Sequence, residues 1–314
     1  MKRKSTLVPF SVTRFVSDLE RITTSIGAPY SQKQVQEVLE TFGDNLANGA
    51  VVMRATDRPG DPVNFWAGEY NRTDTISLAV DASIISPTHP SILLLRSWFY
   101  MYDNEPEAST DFDTARGLAK TWIYFMRLRP VDEILRVEHV PESFRNHIDK
   151  FKLIGARLVY HVAVSYKSTA VNLYLNIPTE LTPERCAHII QTLLPSCSPP
   201  TASELEQIMK CVRPNAPTAF AVTMSYPSGT IERLCFYAFM VPKELALSIG
   251  IGQRLEHFLK ETPCYDENEV INFGWSFGRQ GERYLKMDIA YCGGFSDLLG
   301  KLNHSEGVNP TSKI

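Results

Sequence analysis

Over the first fifty residues apolar side chains recur at helical steps. Val12, Phe15, Leu19, Ile22 and Ile26 repeat every three or four positions, and Gly27 follows as a helix stop. Ser31 and Gln34 have capping-box spacing, and Val35, Val38, Leu39, Phe42 and Leu46 form one stripe that ends before Gly49. The period then falls to two. Val51 to Thr56 reads as a strand, Pro59-Gly60-Asp61 as a turn, and Val63 to Tyr70 as a returning strand.

The unit recurs, with further strand pairs expected around Thr114–Arg116, Lys167–Thr169, Pro227-Ser228-Gly229 and Arg279-Gln280-Gly281. The turns repeat at roughly 50–60 residues, the mark of a repeated supersecondary unit. Helical stretches lie between them: Ile92–Tyr102, Glu142–Phe151, Pro183–Leu194, Ser203–Val212, Leu255–Lys260 and Phe295–Leu302. The polar segment Ser109–Thr114 reads as strand or as loop. Short hairpin turns make the sheet antiparallel. A sheet of about ten such strands tends to curl or close, which removes its exposed edges.

Strand parity sharpens this. Lys120, Trp122 and Tyr124 share one face and Ile123 and Phe125 the other. Likewise Arg233, Cys235 and Tyr237 oppose Leu234 and Phe236. Asn172 and Tyr174 oppose Val171, Leu173 and Leu175, and Lys286, Asp288 and Ala290 oppose Leu285, Met287 and Ile289. An open sheet with one wet face is the alternative, but a wet face seldom collects so many large rings. If helices cover the apolar face, the mixed face lines an interior. An interior of Lys, Arg and Tyr suits an anionic, partly apolar guest, because buried cations are costly unless paired.

Composition narrows the class. The 314 residues are 44% hydrophobic and 21% charged with a net charge of −3, which fits a folded chain and lacks the basic surface of a nucleic-acid binder. The apolar run Ile92–Leu95 is broken by Arg96, far short of a membrane span. The basic start Met1–Ser5 lacks the apolar core of a signal peptide, so a cytoplasmic location is expected. Cys186, Cys197, Cys211, Cys235, Cys264 and Cys292 are widely spaced and read as free thiols.

Gly274-Trp275-Ser276-Phe277-Gly278 matches a nucleophile elbow, but that chemistry needs a helix after the serine, and Arg283–Ala290 reads as strand. Gly250-Ile251-Gly252 lacks the strand and third glycine of a dinucleotide loop. Asp111-Phe112-Asp113 could hold Mg²⁺, although two carboxylates at a turn are more often simply solvated.

Several segments, in order, carry a resemblance: Thr41–Asn45, Pro59–Asp61, Asp111–Asp113, Arg116–Trp122, Leu128–Pro130, Val171–Tyr174, Glu232–Tyr237 and Gly274–Arg279. The sequence is similar to the soluble aromatic prenyltransferases of the ABBA type, in particular the 4-hydroxyphenylpyruvate prenyltransferases. The resemblance implies an α+β fold, a ten-stranded antiparallel barrel of five α-β-β-α repeats with helices outside, as one domain over 1–314 with its core at about 12–302. It implies Friedel–Crafts transfer of dimethylallyl from dimethylallyl diphosphate to a phenolic or dihydroxynaphthalene carbon. By resemblance Lys120, Arg233 and Lys286 hold the diphosphate, Asn172, Tyr174 and Tyr237 add hydrogen bonds, and Arg54, which matches a basic residue near the acceptor, either pairs with an acidic acceptor or extends the diphosphate site. Trp122 and Tyr124 would stabilise the carbocation by cation–π contact.

Asp288 matches an acid that faces the acceptor, with an ion pair to Lys286 or Arg54 as its other reading. Tyr160 stands where those relatives have an arginine for a carboxylate. Trp66 stands where they have an arginine, or where metal-dependent relatives have an aspartate. Trp66 would therefore shorten the prenyl pocket, and its identity implies catalysis with no required cofactor, Mg²⁺ included. A monomer is expected, with no nucleic-acid or membrane partner. Two rival readings are a non-catalytic barrel that binds prenyl diphosphates and a serine hydrolase built on Ser276.

Overall fold

The computed structural model describes residues 8–214 and 218–304. Met1–Ser5 lies outside the described residues. Helices α1 (Val12–Ser25) and α2 (Gln32–Asn48) precede strands β1 (Ala50–Thr56) and β2 (Asn64–Gly68). Ser11 caps α1 by accepting from the Arg14 N–H, and Gly27 leaves the helix at φ +61°. Ser31 caps α2, but the capping box is only half formed. The Gln34 amide turns to Glu37, because the Ser31 N–H is already taken by the Thr114 carbonyl at 2.8 Å.

The second repeat has α3 (Thr75–Asp81), α4 (Pro90–Phe99), β3 (Glu107–Asp113) and β4 (Gly117–Pro130); the third has α5 (Val131–Leu135), α6 (Glu142–Arg145), α7 (Ile148–Leu153), β5 (Leu158–Ser165) and β6 (Ala170–Ile177). The fourth has α8 (Pro183–Leu193), α9 (Ala202–Cys211), β7 (Thr218–Ser225) and β8 (Ile231–Ala238). The fifth has α10 (Lys243–Ser248), α11 (Gln253–Glu261), β9 (Ile271–Gly278) and β10 (Arg283–Cys292), and α12 (Phe295–His304) follows.

One open reading is settled and two change. Ser109–Thr114 is not loop: Glu107–Asp113 is strand, polar because Ser109, Asp111 and Asp113 point inward. Glu142–Phe151 is split between α6 and α7. Helices α3, α5 and α10 are too short to have shown a period.

The ten strands close into one antiparallel barrel in the order β1-β10-β9-β8-β7-β6-β5-β4-β3-β2. Pairing of Arg54 with Asp288 and of Val52 with Ala290 joins the first strand to the last. Outward side chains such as Ile123, Leu173, Leu234 and Met287 merge with the helices into one large core. A smaller inner cluster gathers Trp66, Trp122, Ala163, Val270 and Ala290 with Phe295 and Leu298 of α12, so the last helix stops one end of the barrel. All six cysteines are free, and every one but Cys264 is buried.

Candidate active site

The parity of the strands decides what lines the lumen. Lys120, Tyr124, Tyr174, Arg233, Tyr237, Lys286 and Asp288 all point inward, and each keeps some accessibility while the adjacent strand residues, Glu232 apart, are buried. On the inner wall of a closed barrel, such exposure is to the enclosed space.

The cations sit nearer the hairpin turns. Burial lowers the Lys120 pKa to about 8; Asp111 pulls it up, while Arg54, Lys286 and Arg233 push it further down. That coupling reflects four like charges in one chamber. The Tyr284 ring lies between two of them, 5.7 Å from the Arg233 guanidinium carbon and 5.9 Å from Lys286 Nζ. Lys286 Nζ donates to the Tyr237 hydroxyl at 3.3 Å. Arg233 donates to Thr223 Oγ1 at 3.2 Å, and Thr223 in turn donates to Asn172 Oδ1 at 2.6 Å. Arg233 Nε and Ser276 Oγ are buried with no hydrogen-bond partner among the described residues. An orphaned buried donor costs about 1–3 kcal/mol, so these atoms mark where an acceptor belongs.

Arg54 forms a clamp. Its Nε and Nη2 reach the two oxygens of Asp288 at 2.5 and 2.9 Å, and its Nη1 reaches Asp111 at 3.0 Å. Asn64 donates to the other Asp111 oxygen at 3.0 Å. Burial works against the Arg54 charge, but Asp288 and then Asp111 outweigh it and raise its pKa well above the ordinary value. Asp288 therefore makes its ion pair with Arg54, not Lys286. Asp111 and Asp113 are not the solvated turn acids that spacing suggested: Asp111 is fully buried, and Asp113 pairs with Arg116 and Lys167. Among the described residues Arg54 takes up Asp111 and Asp288, and no ion pair is made by Lys120, Arg233 or Lys286. Among the described residues no three His, Cys, Asp or Glu side chains gather as a metal site.

Deeper in, the lining turns aromatic. Trp122 lies 4.9 Å from Trp66, 6.0 Å from Tyr124 and 6.3 Å from Tyr174, measured between ring centroids. Trp66 meets Phe295 of α12 edge-on at 5.3 Å, away from the cations. The indole N–H groups of Trp122 and Trp66 have no partner among the described residues. Tyr160 donates to Asn176 at 2.9 Å, and the neighbouring His161 stacks on Tyr174 at 3.9 Å. Two adjacent residues can both face inward because β5 carries a register shift between Val159 and His161. Strict alternation hid His161 for that reason.

Comparison with known proteins agrees with this geometry. Residues 10–302 match the family model for aromatic prenyltransferase Orf2. An aromatic prenyltransferase of Sclerotinia sclerotiorum is 37% identical over 92% of this chain and 94% of its own. The chain belongs to the aromatic prenyltransferase family. A 4-hydroxyphenylpyruvate 3-dimethylallyltransferase of Streptomyces niveus is 34% identical over 94% of this chain and 89% of its own. The solved 5-dimethylallyl tryptophan synthase of Streptomyces coelicolor, in complex with DMASPP and Trp, shares the fold. Its TM-score is 0.61 at 11% identity, covering 98% of this chain and 99% of that one.

Against this family background the prenyltransferase lacks the hydrolase alternative. Ser276 lies within β9, paired with Cys235 and Tyr284, and a hairpin to β10 follows where an elbow requires a helix. Lys120, Arg233, Lys286, Asn172, Tyr174, Tyr237, Trp122, Tyr124, Tyr160, Trp66, Arg54 and Asp288 all reach the lumen side of the barrel. Arg54 is committed to two carboxylates rather than standing free among the cations. No helix of the described residues is long and apolar enough to cross a membrane.

Proposed function

We propose that this prenyltransferase moves a dimethylallyl group from dimethylallyl diphosphate to a carbon of a phenolic or dihydroxynaphthalene ring, without a required metal. The carrying observation is the polarity of the lumen, with Lys120, Arg233 and Lys286 toward the turns and a ring-lined pocket beyond them. Ionisation of an allylic diphosphate separates an anion from a carbocation, and this arrangement offers each a preformed environment. Lys120, Arg233 and Lys286 receive the diphosphate as charge develops on it, and the unpartnered Arg233 Nε and Ser276 hydroxyl add donors. Asn172 holds Thr223 against Arg233, which fixes the guanidinium before substrate arrives.

Trp122, Tyr124, Tyr174 and Tyr237 present π faces to the allyl cation and exclude water that would quench it. The phenols stay protonated: burial raises the pKa values of Tyr124, Tyr174 and Tyr237. Asp288, fixed by Arg54, accepts a hydrogen bond from the acceptor hydroxyl and makes the ring more nucleophilic. The Arg54 charge is answered by Asp288 and Asp111, and Tyr160 is a neutral donor, so a neutral phenol suits this end better than a carboxylate. With both Asp111 oxygens engaged by Arg54 and Asn64, the chain's own cations do the work a divalent ion would do.

Labelled dimethylallyl diphosphate incubated with phenols and dihydroxynaphthalenes tests this. Mass-identified C-prenylated products are expected. Donor binding with no product from any ring would favour the non-catalytic barrel.

A further inference from the structure

An alkylated ring must lose a proton to become aromatic again, and the base has to lie beside the ring rather than beside the diphosphate. Asp288 and Asp111 are poorly placed for this. Both Asp288 oxygens accept from Arg54, and the Asp111 oxygens accept from Arg54 and Asn64. His161 differs on each count. Its imidazole stacks on Tyr174 at 3.9 Å and lies 4.6 Å from Tyr124 and 6.2 Å from Trp122, inside the aromatic pocket. It hydrogen-bonds to none of the described residues, and it keeps some accessibility although rings surround it, so it borders the lumen space.

The topology adds the approach. Strands β5 and β10 are five apart in either direction round the ten-stranded barrel, so His161 and Asp288 stand on opposite walls. A flat acceptor between them can offer a hydroxyl to Asp288 and a ring C–H to His161. The geometry points to His161 as the base that takes the ring proton after prenyl transfer, a reading that rests on the transfer proposed above.

The step balances. The donor C–O bond breaks and its electron pair leaves with diphosphate; a π pair of the acceptor forms the new C–C bond. The C–H pair then returns to the ring while its proton passes to an imidazole nitrogen, and the imidazolium gives that proton to the departing diphosphate. Burial holds the imidazole neutral, with its pKa down to about 3, so it does not repel the allyl cation beforehand. The same penalty drives the imidazolium to release the proton promptly. An arenium ion is acidic enough to protonate so weak a base.

The test uses dimethylallyl diphosphate with a dihydroxynaphthalene, protiated or deuterated at every free ring carbon, and the variants His161→Gln and His161→Phe. The wild-type rate should be the same for both isotopologues. Both variants should bind dimethylallyl thiolodiphosphate as the wild type does. In both, kcat should fall by about 10²-fold, the low end of what a positioned base supplies, with a primary isotope effect appearing. An unchanged kcat in either variant overturns the assignment, and so does a slower rate without an isotope effect, which would leave His161 a packing role. Absence of any prenylated product from the wild type would instead sink the proposed transfer itself.

Discussion

Lys120 shows most plainly what a single position trades. Its ammonium is buried among three other cations, and the depressed pKa of about 8 records that cost. The sign follows from linkage. Between about pH 8 and the ordinary 10.5 the folded chain has shed a proton that the unfolded chain retains, so the penalty is full below pH 8 and fades above it. Replacing the charge by Lys120→Met should raise the melting temperature at neutral pH while cutting turnover by ~10²-fold or more, the scale of losing a charge-stabilising donor. A melting scan and a rate assay on the same preparation check both halves; a stable variant with normal turnover would remove Lys120 from the diphosphate site. Lys120 was legible in the sequence because β4 alternates cleanly, Lys120-Trp122-Tyr124 against Ile123-Phe125. His161 was not, because the register shift in β5 breaks the two-residue period at that point. Asp288 was legible as a candidate partner of Arg54 and Asp111 was not, since pairing across β1, β10 and β3 depends on barrel closure.

At the level of elements, the pocket's depth is set where β2 meets α12. Trp66 packs on Trp122 and on Phe295, and α12 is held by Asp266, which accepts from the N–H groups of Gly294 and Phe295 at 2.8 and 3.0 Å. Tyr70 donates to the Gly293 and Gly294 carbonyls just before it. The indole therefore has a firm backing, and in the proposed mechanism it fills space that a longer prenyl chain would need. Trp66→Ala should shift preference toward geranyl diphosphate over dimethylallyl diphosphate in a competition assay, and an unaltered ratio would refute this account of chain length. The resemblance singled out Trp66 as a ring that would shorten the pocket, while its contact with Phe295 depends on the fold. The hairpins were read correctly because each turn has its own Gly, Pro or polar punctuation. Helices α3, α5 and α10 were missed because one or two turns of helix show no stripe. The β3 strand was left open between strand and loop because its polarity belongs to a lumen that only the whole sheet creates.

For the molecule as a whole, closure converts an ordinary mixed sheet face into a chamber. Opposite-sign groups on strands far apart in sequence meet there, and the helices outside supply the large core that carries the cost of buried charge. In the proposed mechanism, positive charge from the protein stands in for a divalent ion at the leaving group. Turnover should persist in excess chelator, and a complete loss restored by Mg²⁺ would reverse that part of the mechanism.

The most direct test of the central claim is a crystal structure with dimethylallyl thiolodiphosphate, which resists ionisation. The account predicts diphosphate oxygens within hydrogen-bond reach of Lys120, Arg233 and Lys286, and the allyl tail pointing to Trp122. A diphosphate bound outside the barrel, or lying among the rings with its tail toward the turns, would contradict it.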